Sequence, residues 1–424
     1  MDPNLQGLMI DDLARGRRPL QVADFHVGAL ARRSTIGTRI FGGRMGTFDN
    51  TTQKTFNVCC TLAQKFDAVR LIFANGNTGG TLGIGVTKVS VRENLATFNN
   101  SNNSWTAVTF AGSSTGTVAA APGSNRRSYL LSDWIEINSL DRDDGGTFPV
   151  LYMRSYISTS GSITIMGNGT DDFTNWVTRP NGRIWCMRYQ NGDQCTTPSG
   201  FTDTTNRSQC PIVGVQYAAR GQVITVMGVG DSITEGRGTY LGEGWGVPAC
   251  EGLSSMSGVA FEWSNVAWSG VSTGAIRDQV IDVLGAGIYP ELMFIPTGSP
   301  NDVSTTVTSA QVLAMRTRLA RALVECRAYQ VRPVLWTWLP SNPAAKDYGS
   351  TDSLRVALNS DVVSWARRGV DVLDYSAALE GTVDGDGQMQ FASSVTTDNI
   401  HPNDAGNAIL VPLAQQPLRK YVAI

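Results

Sequence analysis

Near Arg220 the chain changes texture, and that change limits the fold more than any other feature. Beyond it, short apolar runs alternate with stretches of helical spacing. Val223 to Val229, Ala260 to Val266, Glu291 to Pro296, Pro333 to Leu339 and Val370 to Leu373 read as five buried strands. Between them, Ala275 to Leu284, Ala310 to Tyr329 and Ser353 to Arg368 place apolar and charged residues at helical intervals. Strand and helix in alternation predict an α/β unit with a parallel sheet covered by helices on both faces. From about Phe56 to about Tyr217 the pattern differs. Ala68 to Phe73, Thr87 to Val91, Trp105 to Phe110, Val150 to Ile157 and Ser162 to Met166 read as strands, separated by Asn-Gly, Gly-Gly and Asn-Asn. That region is expected to be β-rich, a sandwich or jelly-roll-like fold. A chain of 424 residues exceeds what one hydrophobic core usually serves, so the expectation is two domains, 1–219 and 220–424.

The balance of charge bears on partners. With 34 basic and 36 acidic residues there is no cationic excess to attract nucleic acid. The short basic clusters Arg15-Gly16-Arg17-Arg18, Arg32-Arg33 and Arg126-Arg127 read as solvated surface. No run approaches the roughly 18 to 20 apolar residues that cross a bilayer, so no membrane insertion is expected. The first residues, Met1-Asp2-Pro3-Asn4, show no signal peptide. That leaves a cytoplasmic, phage-associated or trimmed secreted setting open. Seven cysteines at 59, 60, 186, 195, 210, 250 and 326 lack zinc spacing, and a loop disulfide is conceivable only among Cys186, Cys195 and Cys210.

In open α/β sheets reactive groups collect at the carboxyl ends of strands. The first strand of the α/β unit runs into Gly230-Asp231-Ser232-Ile233-Thr234-Glu235-Gly236, which would present Ser232 at that edge. A serine nucleophile needs a base to take its proton, and the chain has only two histidines, His26 and His401. His401 lies in Asp398-Asn399-Ile400-His401-Pro402. Asp398 at i−3 would hold one ring nitrogen and leave the other for the serine. His26 falls outside the α/β unit and reads as structural.

At this point the sequence resembles the SGNH (GDSL-like) hydrolases. Gly-Asp-Ser after the first strand, Gly270 in Asn265-Val266-Ala267-Trp268-Ser269-Gly270 after the second, Asn301-Asp302 after the third, and Asp-x-x-His near the end follow that family's order. The resemblance covers about Val223 to Leu413. It implies a flavodoxin-like SGNH hydrolase domain with a five-stranded parallel sheet. It further implies catalytic Ser232, Asp398 and His401, and an oxyanion hole made of the Ser232 and Gly270 N–H groups with the Asn301 amide. No metal or organic cofactor is implied. One block departs: where the family has Gly-x-Asn-Asp, this chain has Ser299, and either Ser299 replaces the glycine or the turn carries an extra residue.

Rival readings remain at the level of residues. Gly112-Ser113-Ser114-Thr115-Gly116 and Gly270-Val271-Ser272-Thr273-Gly274 match the nucleophile elbow of another fold. Ser114 is expected to sit in a loop, whereas Ser272 follows a strand and precedes a helix. Asp231 and Glu235 are expected to be turn and cap residues rather than a glycosidase pair. Trp105, Trp134, Trp176 and Trp185 could pack in the core or stack on sugars. The acidic stretch Asp141 to Gly146 lacks calcium-loop spacing and reads as a turn. A β-rich region joined to an SGNH unit resembles polysaccharide deacetylases, including phage tail proteins. The expectation is therefore an esterase removing O-acetyl groups from a carbohydrate, with the β-rich region as a glycan-binding accessory. The alternatives are an arylesterase or lipase-type enzyme on small acyl esters, and a non-catalytic adhesion protein with a degenerate hydrolase unit.

Overall fold

The computed structural model describes residues 35–43, 45–91, 104–141, 146–167, 185–195, 209–237 and 244–422. His26, Trp176 and most of the Asp141 to Gly146 stretch lie outside these residues, as do the side chains of Trp185 and Cys186.

Before Arg220 the described chain forms antiparallel sheets. One runs Ile36–Ile40, Ile212–Ala219, Phe66–Asn75, Ser128–Leu131, with Ile135–Glu136 also paired to Phe66–Asn75. A second runs Trp185–Asn191, Lys54–Thr61, Val150–Ile157, Leu82–Ser90, Thr106–Ala107, and Gly116–Val118 joins it on Leu82–Ser90. A third, smaller one joins Gln209–Cys210, Ser162–Gly167 and Met45–Asp49. The strand expected over Trp105 to Phe110 shrinks to Thr106–Ala107. Past it, Asp133 accepts from the Thr109 hydroxyl and the Ala111 and Gly112 N–H groups and draws the chain into a turn. Cys195 and Cys210 are buried free thiols, so neither forms the conceivable loop disulfide.

After Arg220 five parallel strands form one sheet: Val223–Gly228, Ala260–Asn265, Leu292–Pro296, Arg332–Trp336 and Asp371–Leu373. Their spatial order is second, first, third, fourth, fifth. This is the flavodoxin-like order, with its switch point beside the first strand. Strand periodicity explains why the runs are apolar throughout. Val223 and Met227 enter one buried cluster, while Ile224 and Val226 enter another. Helices Thr273–Gly285, Ser309–Ala328 and Asp352–Ser364 contribute to the first cluster. Helices Gly246–Ser257 and Asp404–Arg419 contribute to the second. Consecutive side chains point to opposite faces, so both parities must be apolar when both faces are covered.

The first cluster does not stop at Arg220. Ile40, Phe66, Leu71 and Tyr217 belong to it together with Val223, Ile276 and Leu319. Polar groups tie the same seam. The edge strand Ile36–Ile40 donates its Thr38 and Ile40 N–H groups to the Thr225 and Ser264 hydroxyls at 2.9 and 3.0 Å, which blunts an otherwise open sheet edge. Glu262, fully buried, accepts from Ala63 N–H at 2.6 Å and from the Tyr217 hydroxyl at 2.8 Å. At Gly43 a side chain would lie 1.9 Å from the Val266 carbonyl oxygen, so the β-rich region runs hard against the segment leading to Gly270.

Candidate active site

The nucleophile candidate owes its position to a helix start. After Gly228 the chain turns through Asp231, whose carboxylate caps the four-residue helix Ser232–Glu235 by accepting the Ile233 N–H at 3.0 Å. Gly236, in the left-handed conformation, closes it. Asp231 is thus the cap residue expected. Ser232 opens the helix, where a backbone N–H has no intrahelical acceptor.

His401 comes to Ser232 from 169 residues away. Its Nε2 lies 2.7 Å from Ser232 Oγ, and its Nδ1 lies 2.5 Å from Asp398 Oδ2. Asp398 Oδ1 accepts the backbone N–H groups of Ile400 and His401 at 3.1 and 2.8 Å. A carboxylate only accepts, so Nδ1 carries the ring hydrogen and Nε2 presents its lone pair to the serine hydroxyl. Burial raises the Asp398 carboxyl, but hydrogen bonds from the His401 ring and from the two N–H groups outweigh it and hold the group below the ordinary carboxylate range. Ser232 and His401 are 5% and 7% exposed.

Asn342, which sequence reasoning missed, holds the histidine loop. It donates its N–H to the Asn399 carbonyl at 3.0 Å and its amide to Asn399 Oδ1 at 2.9 Å, while its own Oδ1 accepts from Phe391 N–H at 2.8 Å. Asn399 sits at φ +67°, a left-handed conformation that asparagine tolerates better than most residues. No motif announces Asn342, because its role consists of contacts 49 and 57 residues along the chain.

The three segments named for the oxyanion hole end adjacent strands. The nucleophile strand is central, with the Gly270 strand on one side and the Asn301 strand on the other. Gly270 has φ +83° in a turn, a conformation that glycine enters without a Cβ penalty. The Asn301 amide nitrogen donates to the Val271 carbonyl at 3.1 Å and to Ser299 Oγ at 3.3 Å. Those two acceptors are 3.2 Å apart, so they hold one side of the amide beside the Gly270 turn. Ser299 heads the short turn Pro300–Asp302. Its backbone is extended, at φ −138° and ψ 138°, so that position places no demand for glycine. Its hydroxyl lies 2.5 Å from Asp231 Oδ2. Burial pushes the Asp231 carboxyl up, against the hydrogen bonds from Ser299 and Ile233.

The rivals are placed differently. Ser272 occupies the cap position of helix Thr273–Gly285 but caps nothing with its side chain, and the His401 ring faces Ser232 instead. Ser114 lies exposed in a bend beside the Phe110–Ser113 bridge. Trp134 is exposed, with the Arg70 guanidinium 5.0 Å from its ring centroid, and Trp105 packs against Arg154 at 4.4 Å. Among the described residues no group of three or more His, Cys, Asp or Glu side chains could hold a metal ion, and no helix is long and apolar enough to cross a membrane.

Fold and site together define a serine hydrolase on a flavodoxin-like sheet. Residues 229–409 match the GDSL-like Lipase/Acylhydrolase family. Among solved structures it is similar to the lipase/acylhydrolase of Enterococcus faecalis, at 19% identity and TM-score 0.37, covering 47% of this chain and 97% of that one. It is also similar to a GDSL-like lipase from Bacteroides thetaiotaomicron, at 19% identity and TM-score 0.35, covering 46% of this chain and 88% of that one. A third is an acetyl xylan esterase, AlAXEase, at 17% identity and TM-score 0.36, covering 46% of this chain and 100% of that one. No curated protein matches the chain. The family match over residues 229–409 supports a serine hydrolase acting on esters.

Proposed function

We propose that Ser232 is the nucleophile, His401 the general base and Asp398 its orienting carboxylate in an esterase that removes O-acetyl groups from a carbohydrate. The observation that carries this reading is the unbroken hydrogen-bond chain from Ser232 through His401 to Asp398. His401 Nε2 takes the hydroxyl proton as Ser232 Oγ bonds to the ester carbonyl carbon. The oxygen that gains charge is met by the N–H groups of Ser232 and Gly270 and by the Asn301 amide. Each such donor contributes roughly 10²–10³ in rate. The histidine returns the proton to the departing sugar oxygen and leaves an acetyl-serine. It then deprotonates water, whose oxygen attacks the acetyl carbonyl, and acetate leaves as Ser232 regains its hydrogen.

The buried serine favours a compact acyl group over a long chain. In this reading residues 220–424 carry the chemistry and the β-rich residues 1–219 form the accessory part that meets the polymer. The test is release of acetate from 4-nitrophenyl acetate and from an acetylated polysaccharide, by the parent protein, Ser232→Ala and Ser272→Ala. Loss in Ser232→Ala alone is the expected result. Turnover of the small ester without any polymer would move the assignment to a small-ester esterase. Activity that survives in Ser232→Ala would overturn the nucleophile.

A further inference from the structure

We infer that Ser299 is a positioning residue whose hydroxyl ties the nucleophile turn, the Gly270 turn and Asn301 into one oxyanion site. The inference rests on the catalytic reading above and concerns a residue the family pattern does not use.

Ser299 is fully buried at the head of the short 3-10 turn Pro300–Asp302. A hydroxyl has one hydrogen to give and two lone pairs to receive with. Here all three are placed. The hydrogen goes to Asp231 Oδ2 at 2.5 Å, with the Val271 carbonyl oxygen 3.2 Å away as a second acceptor. The oxygen accepts the Asn301 backbone N–H at 3.2 Å and the Asn301 amide at 3.3 Å. Asp231 directly precedes Ser232, and Val271 directly follows Gly270. One oxygen atom therefore touches a neighbour of each donor segment, across sequence separations of 68 and 28 residues.

A serine that only finished its own turn would bond locally. This one bonds locally to Asn301 and also spans two other strands' ends. A glycine at 299 fits the same backbone but leaves Asp231 Oδ2 without this donor and the Asn301 amide without its second acceptor. Preorganised donors lose their value when they are misplaced by about an ångström, at a cost of about 10²-fold in rate. The hydroxyl is the link that holds the three segments to closer tolerance.

The experiment compares the full-length parent protein with Ser299→Ala, Ser299→Gly, Asn301→Ala and the double variant Ser299→Ala/Asn301→Ala on 4-nitrophenyl acetate. Labelling by a fluorophosphonate counts molecules with a working serine. A positioning role predicts that kcat per labelled site falls about 10-fold or more in Ser299→Ala, with KM within about 2-fold. It also predicts a smaller loss when Ser299→Ala is added to Asn301→Ala, because the two side chains act through one bond network. Unchanged kcat, a change confined to KM, or equal losses in both backgrounds would overturn it. So would a rise in kcat, which would mean that the hydroxyl withholds the amide hydrogen. If Ser299→Ala does not fold, Ser299→Gly carries the same comparison, and unfolding of both would assign Ser299 to fold support instead. Parent-like activity in Ser232→Ala would remove the underlying reading; an inactive Ser232→Ala beside a parent-like Ser299→Ala would remove only this inference.

Discussion

Two turns in this molecule look alike in sequence and differ in chemistry. Gly230–Gly236 and Gly270–Gly274 each leave a strand of the parallel sheet, carry a serine between glycines and enter a helix. In the first, the serine hydroxyl meets a histidine at 2.7 Å. In the second, the serine side chain caps nothing. Gly270 takes a left-handed φ, and the helix N-terminus is capped from outside by Asp302, which accepts the Thr273 N–H at 2.8 Å. The comparison teaches that a strand-to-helix serine turn supplies geometry only. Whether its hydroxyl becomes a nucleophile depends on which distant loop lands beside it.

The sharpest way to break the comparison is to exchange the serines' fates. Ser232→Ala is expected to lower kcat on 4-nitrophenyl acetate by about 10⁴–10⁶-fold, and Ser272→Ala to leave it within about 3-fold. Equal losses would make both turns catalytic. Asp398→Asn should come next, with kcat lower by about 10²–10⁴-fold, because the ring would lose the carboxylate that selects its tautomer. A loss below 5-fold would show that backbone contacts alone orient His401. Gly270→Ala probes the second turn. Nothing lies within 4 Å of a Cβ there, so its effect isolates backbone conformation. A non-glycine residue in the left-handed region costs about 1–2 kcal/mol, and kcat should drop about 10-fold while thermal stability falls slightly. An unaltered rate would remove the Gly270 N–H from the site.

Smaller effects concern stability. Asp302→Ala removes the carboxylate that caps Thr273 and pairs with Arg318, and should cost about 1 kcal/mol in chemical denaturation. The smallest is a pH effect. Asp398 is held below its ordinary value of 3.8, so the folded chain binds fewer protons there than the unfolded one. Its stabilisation is present above that value and is lost as pH falls through the lower folded pKa. The thermal midpoint of the parent relative to Asp398→Asn should therefore converge only in strong acid. Convergence near neutrality would contradict an ionised Asp398.

Much of this was legible beforehand. The parallel strands were readable because burial on both faces requires unbroken apolar runs, and the predicted bounds agree with Val223–Gly228 and Leu292–Pro296 to within a residue. The pairing of Ser232 with His401 was readable because a chain with two histidines offers a serine few partners. Two helices were not readable. Asp404–Arg419 contains Pro412 and Pro417, which local rules treat as breaks, yet Leu410, Ala414 and Leu418 bury its face in the second cluster. Gly246–Ser257 is rich in glycine and serine, poor helix formers that packing by Ala249 and Leu253 overrides.

By itself, then, the sequence determined the strand and helix periods and the texture change near Arg220, because these depend on neighbours along the chain. Only the tertiary structure decided that Ser232 rather than Ser272 meets His401, that Ser299 bonds to Asp231 and Asn342 to Asn399, and that one buried cluster runs across Arg220. Those outcomes are made by contacts between residues far apart in sequence, such as Asp231 with Ser299 and Thr38 with Thr225, which no local pattern encodes.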